Sequence, residues 1–112
     1  MNDLVSVIIT THNRLEFLKN ALSSVLNQSY NNIEVIIVDS SSNAHTQNFI
    51  KENQNLIYIH SQINHPNVLR NLGVQCSNGN FIAFLDELGP ESPGYAIKLM
   101  GLLEATGSNR WI

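Results

Sequence analysis

Four short apolar runs, each closed by polar residues, constrain what this chain can fold into. They are Leu-Val-Ser-Val-Ile-Ile at 4–9, Ile-Glu-Val-Ile-Ile-Val at 33–38, Leu-Ile-Tyr-Ile at 56–59 and Phe-Ile-Ala-Phe-Leu at 81–85. Runs this short, rich in β-branched and aromatic residues, read as strands. Near-continuous apolar character, rather than strict alternation, marks strands covered on both faces, as in a parallel sheet.

The segments between the runs change period. Leu15, Leu18, Leu22, Val25 and Leu26 recur at helical spacing, giving one apolar face. Asn13 with Glu16 three positions later is a capping-box variant that starts this helix. Residues 44–53 predict a second helix, with Phe49 and Ile50 turned inward. Val68, Leu69, Leu72 and Cys76 line the inner face of a third, after a 61–67 loop broken by Pro66. Asn78-Gly79 resembles a hairpin turn, but the spacing before it is helical, so Gly79 instead ends the third helix region. Ser92-Pro93 predicts the start of a fourth helix, with Ala96, Leu99, Met100 and Leu103 as its buried stripe. Trp111 and Ile112 look like the beginning of a fifth strand. Strand–helix alternation of this kind predicts an α/β chain: a Rossmann-like, mostly parallel sheet with helices on both faces.

Composition narrows the function classes. With 112 residues, 43% apolar and 13% charged, the chain supports one core and one domain. A net charge of −3 argues against nonspecific nucleic-acid binding. No apolar run approaches the roughly 20 residues needed to span a bilayer, and the first residues lack a signal-peptide pattern. The single Cys76 leaves no internal disulfide and suits a reducing compartment, with the cytoplasm, including the inner face of a membrane, as the expected location. Four scattered His residues and one Cys show no metal-ligand spacing.

In a parallel sheet, ligands bind in the crevice beyond the C-terminal strand ends. Three of the four runs end there in polar groups: Thr10 to Arg14, Asp39 to Ser42, and Asp86 with Glu87. Each also has a structural explanation: Asp86 as a turn former, Asp39 as a helix cap. No G-x-G-x-x-G follows the first run and no G-x-x-x-x-G-K-[ST] occurs. A nucleotide here is therefore held by base and ribose rather than by a glycine cradle under its phosphates.

Four blocks in order, Val-Ser-Val-Ile-Ile-Thr-Thr-His-Asn-Arg at 5–14, Val-Ile-Ile-Val-Asp-Ser-Ser-Ser at 35–42, Leu-Arg-Asn-Leu-Gly at 69–73 and Gly-Asn-Phe-Ile-Ala-Phe-Leu-Asp at 79–86, resemble the family-2 glycosyltransferases of the GT-A fold. The resemblance implies that residues 1–112 form the family's nucleotide-sugar-binding part, incomplete relative to the full family domain. It implies a donor of UDP-sugar type and transfer of the sugar to a hydroxyl acceptor. Thr10, Thr11 and His12 match the loop along base and ribose, and Asp39 the acid that meets a uracil-type base. Arg70 matches an arginine near base and pyrophosphate, although a surface or structural arginine is an equal alternative. Gly73 matches a glycine that lets the third helix pack closely, and Asp86 opens the acidic motif that touches the ribose. A divalent cation, Mn²⁺ or Mg²⁺, is implied as cofactor.

The departures are specific. The family's Asp-x-Asp-Asp motif reads Asp86-Glu87-Leu88-Gly89 here, so Leu88 stands where the metal-binding acid would be, and the replacement ligand is either Glu87, with its longer side chain, or Glu91, curling back. The family's acceptor half and its catalytic base lie beyond residue 112, and no catalytic residue is assigned within the chain. An alternative is a catalytically inactive relative acting as a binding or assembly module, self-associating through an unpaired sheet edge near Trp111. A flavodoxin-like or receiver-like domain is a weaker alternative, because receivers need acids after the first strand where this chain has Thr10-Thr11-His12.

Overall fold

The computed structural model describes residues 3–27, 30, 32–53, 55–87 and 97–104. The elements run β1 (Val5–Thr11), α1 (Leu15–Leu26), β2 (Ile33–Asp39), α2 (His45–Lys51), β3 (Leu56–His60), α3 (Pro66–Cys76), β4 (Phe81–Glu87) and β5 (Ile97–Glu104). The sheet order is β3-β2-β1-β4-β5. β3, β2, β1 and β4 are parallel neighbours, and β5 pairs antiparallel with β4. The expected mostly parallel α/β sheet is thus the observed one.

Burial follows from the apolar runs. Ile8, Ile9, Ile36 and Ile37 are all 0% exposed, so consecutive residues of β1 and β2 point to opposite faces and both faces are covered. On one face, Phe17, Leu18, Ala21, Leu22 and Val25 of α1 and Ile50 of α2 pack on Val7, Ile9, Val35 and Ile37. On the other, Leu69 of α3 packs on Ile8, Ile36, Val38, Ile82 and Phe84. Each of these Val, Leu, Ile and Phe side chains contributes about 1.5–3 kcal/mol on burial. α3 approaches β1 closely at Gly73, where an added Cβ would lie 2.6 Å from Ile8 Cγ2.

Several expectations are corrected. Pro66 does not break the loop before α3; it opens the helix, behind a His65 cap whose Nδ1 accepts from the Asn67 N–H at 3.2 Å. Proline suits that position because the first helical N–H has no intrahelical partner. Cys76 is exposed, because α3 meets the sheet through Leu69 and Gly73 and its last turn runs past the core. The fourth helix is contradicted over 97–104, which form β5. Gly101 costs a helix interior about 1 kcal/mol, and the same apolar residues serve a strand laid on the free edge of β4, with a bulge between Phe84 and Leu85. The expected start of that helix at 92–96 and the expected strand at Trp111 lie outside the described residues. Asn78-Gly79 joins α3 to β4, as expected, rather than making a hairpin.

At the N-terminal end of the sheet one carboxylate ties three segments together. Glu34 Oε2 accepts from Ser6 Oγ at 2.5 Å and from the Asn78 N–H at 2.6 Å, and Oε1 accepts from Asn78 Nδ2 at 3.3 Å. Ser6 Oγ in turn accepts from the Gly79 N–H at 2.8 Å. Burial pushes the Glu34 carboxyl up, but the hydrogen bonds from Ser6 and Asn78 together outweigh it and hold the group below its ordinary value.

Candidate functional site

Register aligns the strand ends. Thr11 lies beside Asp39, and Asp39 beside His60, while Ile9 pairs with Leu85 on the other side of β1, so Asp86 and Glu87 follow at the same rim. The carboxylate-bearing positions 39 and 86 therefore flank the central β1 at its C-terminal end, on strands two neighbours apart, roughly 10 Å.

Three loops leave this rim and are stitched to one another. Asn13 adopts a left-handed backbone, φ 53°, a conformation that asparagine tolerates. Its N–H donates to Ser41 Oγ at 2.7 Å, and its Oδ1 accepts from the Ser42 N–H at 3.1 Å and Asn43 Nδ2 at 3.3 Å. The expected capping box is corrected by this geometry: Asn13 reaches across to the β2–α2 loop, and Arg14 holds the cap position of α1 without a side-chain cap bond. His12 Nδ1 lies 2.9 Å from the Ser40 carbonyl oxygen and 3.1 Å from Ser40 Oγ. Ser40 Oγ donates to Asn64 Oδ1, in the β3–α3 loop, at 2.9 Å. His60 Nε2 donates to the Ser41 carbonyl at 3.3 Å.

Beneath these loops lies Asp39, 0% exposed. Its Oδ2 accepts from the Tyr58 hydroxyl at 2.7 Å and its Oδ1 from the Ser41 N–H at 2.9 Å. Burial, with the hydrogen bond to Asp39 and its charge, pushes the Tyr58 phenol well above its ordinary value. The Asp39 carboxylate is thus engaged inside the protein, where it fixes the β2–α2 turn to β3.

Between the loops opens a cavity of about 540 Å³, whose walls include His12, Ser40, Asn43, Gln47, His60 and Asn64. None of its lining residues is Asp, Glu, Lys or Arg, so its donors and acceptors come from hydroxyl, amide, imidazole and backbone groups. A second cavity of about 450 Å³ lies beside the start of α1 and α2, around Arg14, Glu16 and Thr46.

The site residues named from sequence are distributed unevenly. His12 lines the larger cavity, and Asp39 supports it without lining it. Thr10 is half-buried at the end of β1, and Thr11 is 5% exposed with an Oγ1 that meets no hydrogen-bond partner among the described residues. Arg70 is half-buried on α3. Asp86 and Glu87 close β4. Sequence reasoning passed over His60, Tyr58 and Asn64; their one legible signal was a polar loop after the third apolar run. Among the described residues no three His, Cys, Asp or Glu gather as a metal site, and no helix is long and apolar enough to cross a membrane.

A mostly parallel sheet with a polar crevice at one rim makes this an α/β domain of the kind that takes ligands beyond its C-terminal strand ends. Residues 6–89 match the model of the family "Glycosyl transferase family 2", and the chain belongs to that family. It is 39% identical over 85 residues to an uncharacterized glycosyltransferase of Rickettsia bellii, covering 73% of this chain and 12% of that protein. It is 34% identical over 90 residues to the GalNAc(5)-diNAcBac-PP-undecaprenol beta-1,3-glucosyltransferase of Campylobacter jejuni, covering 74% and 29%. The crystal structure of S. aureus TarS 1-349 in complex with UDP superposes with a TM-score of 0.63 at 28% identity, over 71% of this chain and 26% of that one. The fold is shared at 20% identity by the mannosyltransferase PcManGT of Pyrobaculum calidifontis, solved with GDP-Man and Mn²⁺, with a TM-score of 0.61 over 74% and 27% of the two chains. The chain thus spans only a minor part of these relatives' lengths. The GT-A resemblance and the family expected from the four sequence blocks are borne out.

Proposed function

We propose that residues 1–112 form the nucleotide-sugar-binding part of a glycosyltransferase, taking a UDP-type donor whose sugar passes to a hydroxyl acceptor. The observation that carries this reading is the polar cavity, free of Asp, Glu, Lys and Arg, at the tips of β1, β2 and β3, one strand away from the acid-tipped end of β4. A lining of hydroxyl, amide and imidazole groups suits a base and ribose, which offer hydrogen-bonding edges without charge. The roughly 10 Å from β2 to β4 suits the span from a nucleoside to its diphosphate. The UDP and UDP-GlcNAc held by TarS support the choice of donor.

In this reading His12, with Thr10 and Thr11 behind it, lies along the base and ribose. Asp39 acts from below by fixing the loop that carries Ser40 and Ser41. Arg70 belongs to the side of α3, toward the diphosphate, and Asp86 to the ribose and sugar side. A divalent ion needs several oxygen ligands. The chain supplies hard donors at Asp86 and Glu87, but Leu88 follows and the described residues gather no three-ligand cluster. The described residues do not by themselves make a complete metal site; Glu87 is a candidate for one ligand, and no step is routed through a metal.

Calorimetry with UDP, with and without Mn²⁺, tests the reading. Saturable heat at millimolar UDP is expected, and its absence in both conditions overturns it. A second reading, an inactive relative kept as a binding module, is favoured by Leu88. UDP binding without turnover of any UDP-sugar supports it, and measurable sugar transfer rejects it.

A further inference from the structure

Asn78-Gly79 is the one Asn-Gly pair in the sequence, and it lies at the end of the sheet opposite the larger cavity. Such a pair is chemically labile, because a residue without Cβ leaves its backbone nitrogen open to attack the side chain before it. The Gly79 nitrogen gives up its proton and bonds to Asn78 Cγ, and the Cγ–Nδ2 bond breaks as ammonia leaves. Water then opens the succinimide ring at either carbonyl. The net change is amide plus water to carboxylic acid plus ammonia, with aspartate or isoaspartate at position 78. Packing demands this glycine, since a Cβ at 79 would lie 2.7 Å from the Ser6 nitrogen. Asn78 is exposed, so water reaches it. Yet every group that reacts is held. The Gly79 N–H donates to Ser6 Oγ at 2.8 Å, and Asn78 Nδ2 donates to Glu34 Oε1 at 3.3 Å. The Asn78 N–H is fixed to Glu34 Oε2 at 2.6 Å. For the ring to close, the nitrogen must leave Ser6 and the amide must leave Glu34.

We infer that Asn78 is a hydrolytic modification site that the Glu34–Ser6 clamp keeps closed: when the clamp opens, water converts Asn78 to aspartate or isoaspartate, and the new carboxylate holds the clamp open. The second half follows from the same contacts. The new oxygen stands where Nδ2 donated to Glu34, so a donor facing a carboxylate becomes a like charge facing it. Isoaspartate also lengthens the backbone by one carbon between α3 and β4. The change is irreversible, because the ammonia is lost to solvent.

The test follows the conversion of Asn78 by peptide mass mapping of the full chain held at mildly alkaline pH. Wild type unfolded in urea is expected to convert about a hundredfold faster than native, two hydrogen bonds at about tenfold each. Ser6→Ala, which removes the acceptor of the Gly79 N–H, is expected to speed the native rate about tenfold. Should Ser6→Ala not fold, Glu34→Gln serves: its single oxygen cannot hold both Asn78 donors, and its rate should also rise. Tyr58→Phe loses a hydrogen bond at the opposite end of the sheet and is expected to leave the rate unchanged. Equal rates in native and unfolded wild type overturn the inference. So does a Tyr58→Phe rate raised as far as that of the clamp variants, since overall unfolding would then be the gate. Asn78→Asp reads the second half: its urea midpoint should fall below wild type, and by less in the Glu34→Gln background. A midpoint equal to that of wild type overturns the hold of the new carboxylate on the clamp.

Discussion

Strand β2 carries one carboxylate near each end, and the two are used differently. Glu34, the second residue, sits half-buried and accepts three hydrogen bonds, two of them from Asn78 in the α3–β4 connection. Asp39, the last residue, is 0% exposed and accepts from Tyr58 and from the Ser41 N–H. The lower acid remains near water and clamps a connection to the sheet. The upper acid is withdrawn from water so that the loop above it, carrying Ser40 and Ser41, has a fixed shape. The lesson is a division of labour along one strand of a parallel sheet: the N-terminal end holds the fold closed, and the C-terminal end holds a cavity open.

The comparison makes the upper acid the more costly to disturb. Asp39→Ala leaves the Tyr58 hydroxyl and the Ser41 N–H without their acceptor in a buried place, and is expected to destabilise by about 3 kcal/mol or more. Urea denaturation of the full chain measures it, and a loss smaller than that of Glu34→Ala would break the comparison. Next is Gly79→Ala. Its new Cβ would lie 2.5 Å from Ser6 Oγ, 2.7 Å from the Ser6 nitrogen and 2.8 Å from the Leu4 carbonyl oxygen. Two of those are backbone atoms at the start of β1 and just before it and cannot rotate away, so about 2 kcal/mol is expected. A neutral result would show that the lower clamp is looser than its hydrogen bonds imply. Tyr58→Phe removes one of the two donors to Asp39 and is expected to cost about 1–2 kcal/mol. In wild type the raised phenol keeps its proton in the fold while the unfolded chain loses it above the ordinary value of 10.0. Stability from this group is therefore full below that pH and fades as pH rises past it, and the alkaline loss should shrink in the phenylalanine variant.

The sheet was legible because its signal is local. Each apolar run encodes two buried faces within six residues or so, and β1 to β4 appear where those runs lie, extended by one or two residues into their polar tips. β5 was not legible, because Leu99, Met100 and Leu103 satisfy helical and extended spacing alike, and what decides between them is the open edge of β4. Pro66 misled for a similar reason: a proline stops one helix or starts the next, and only the chain's direction after it tells which. At the site, the rim positions were legible from strand ends, and His12 lines the cavity that they create. The partners of Asp39 were not, since Tyr58 meets it only once β3 has paired in register with β2. Asn64 was hidden for the same reason, as its bond to Ser40 joins loops 24 positions apart.

The smallest expected effect probes the lower acid by pH. Glu34 is held below its ordinary value of 4.5, so the fold favours its charged form. That contribution is fully present above 4.5 and is lost as pH falls through the lower, folded value. Solvent screening at this half-exposed position keeps it under about 1 kcal/mol. Glu34→Gln retains an acceptor oxygen for Ser6 while removing the charge. It should therefore cost little at neutral pH beyond that contribution, and the urea midpoint should decline less steeply than in wild type between about pH 5 and pH 3. Parallel declines in the two proteins would assign the acid sensitivity to another carboxylate. A Glu34→Gln loss exceeding that of Asp39→Ala would reverse the order of the two ends of β2, making the clamp below, rather than the buried acid above, the firmer hold on the fold.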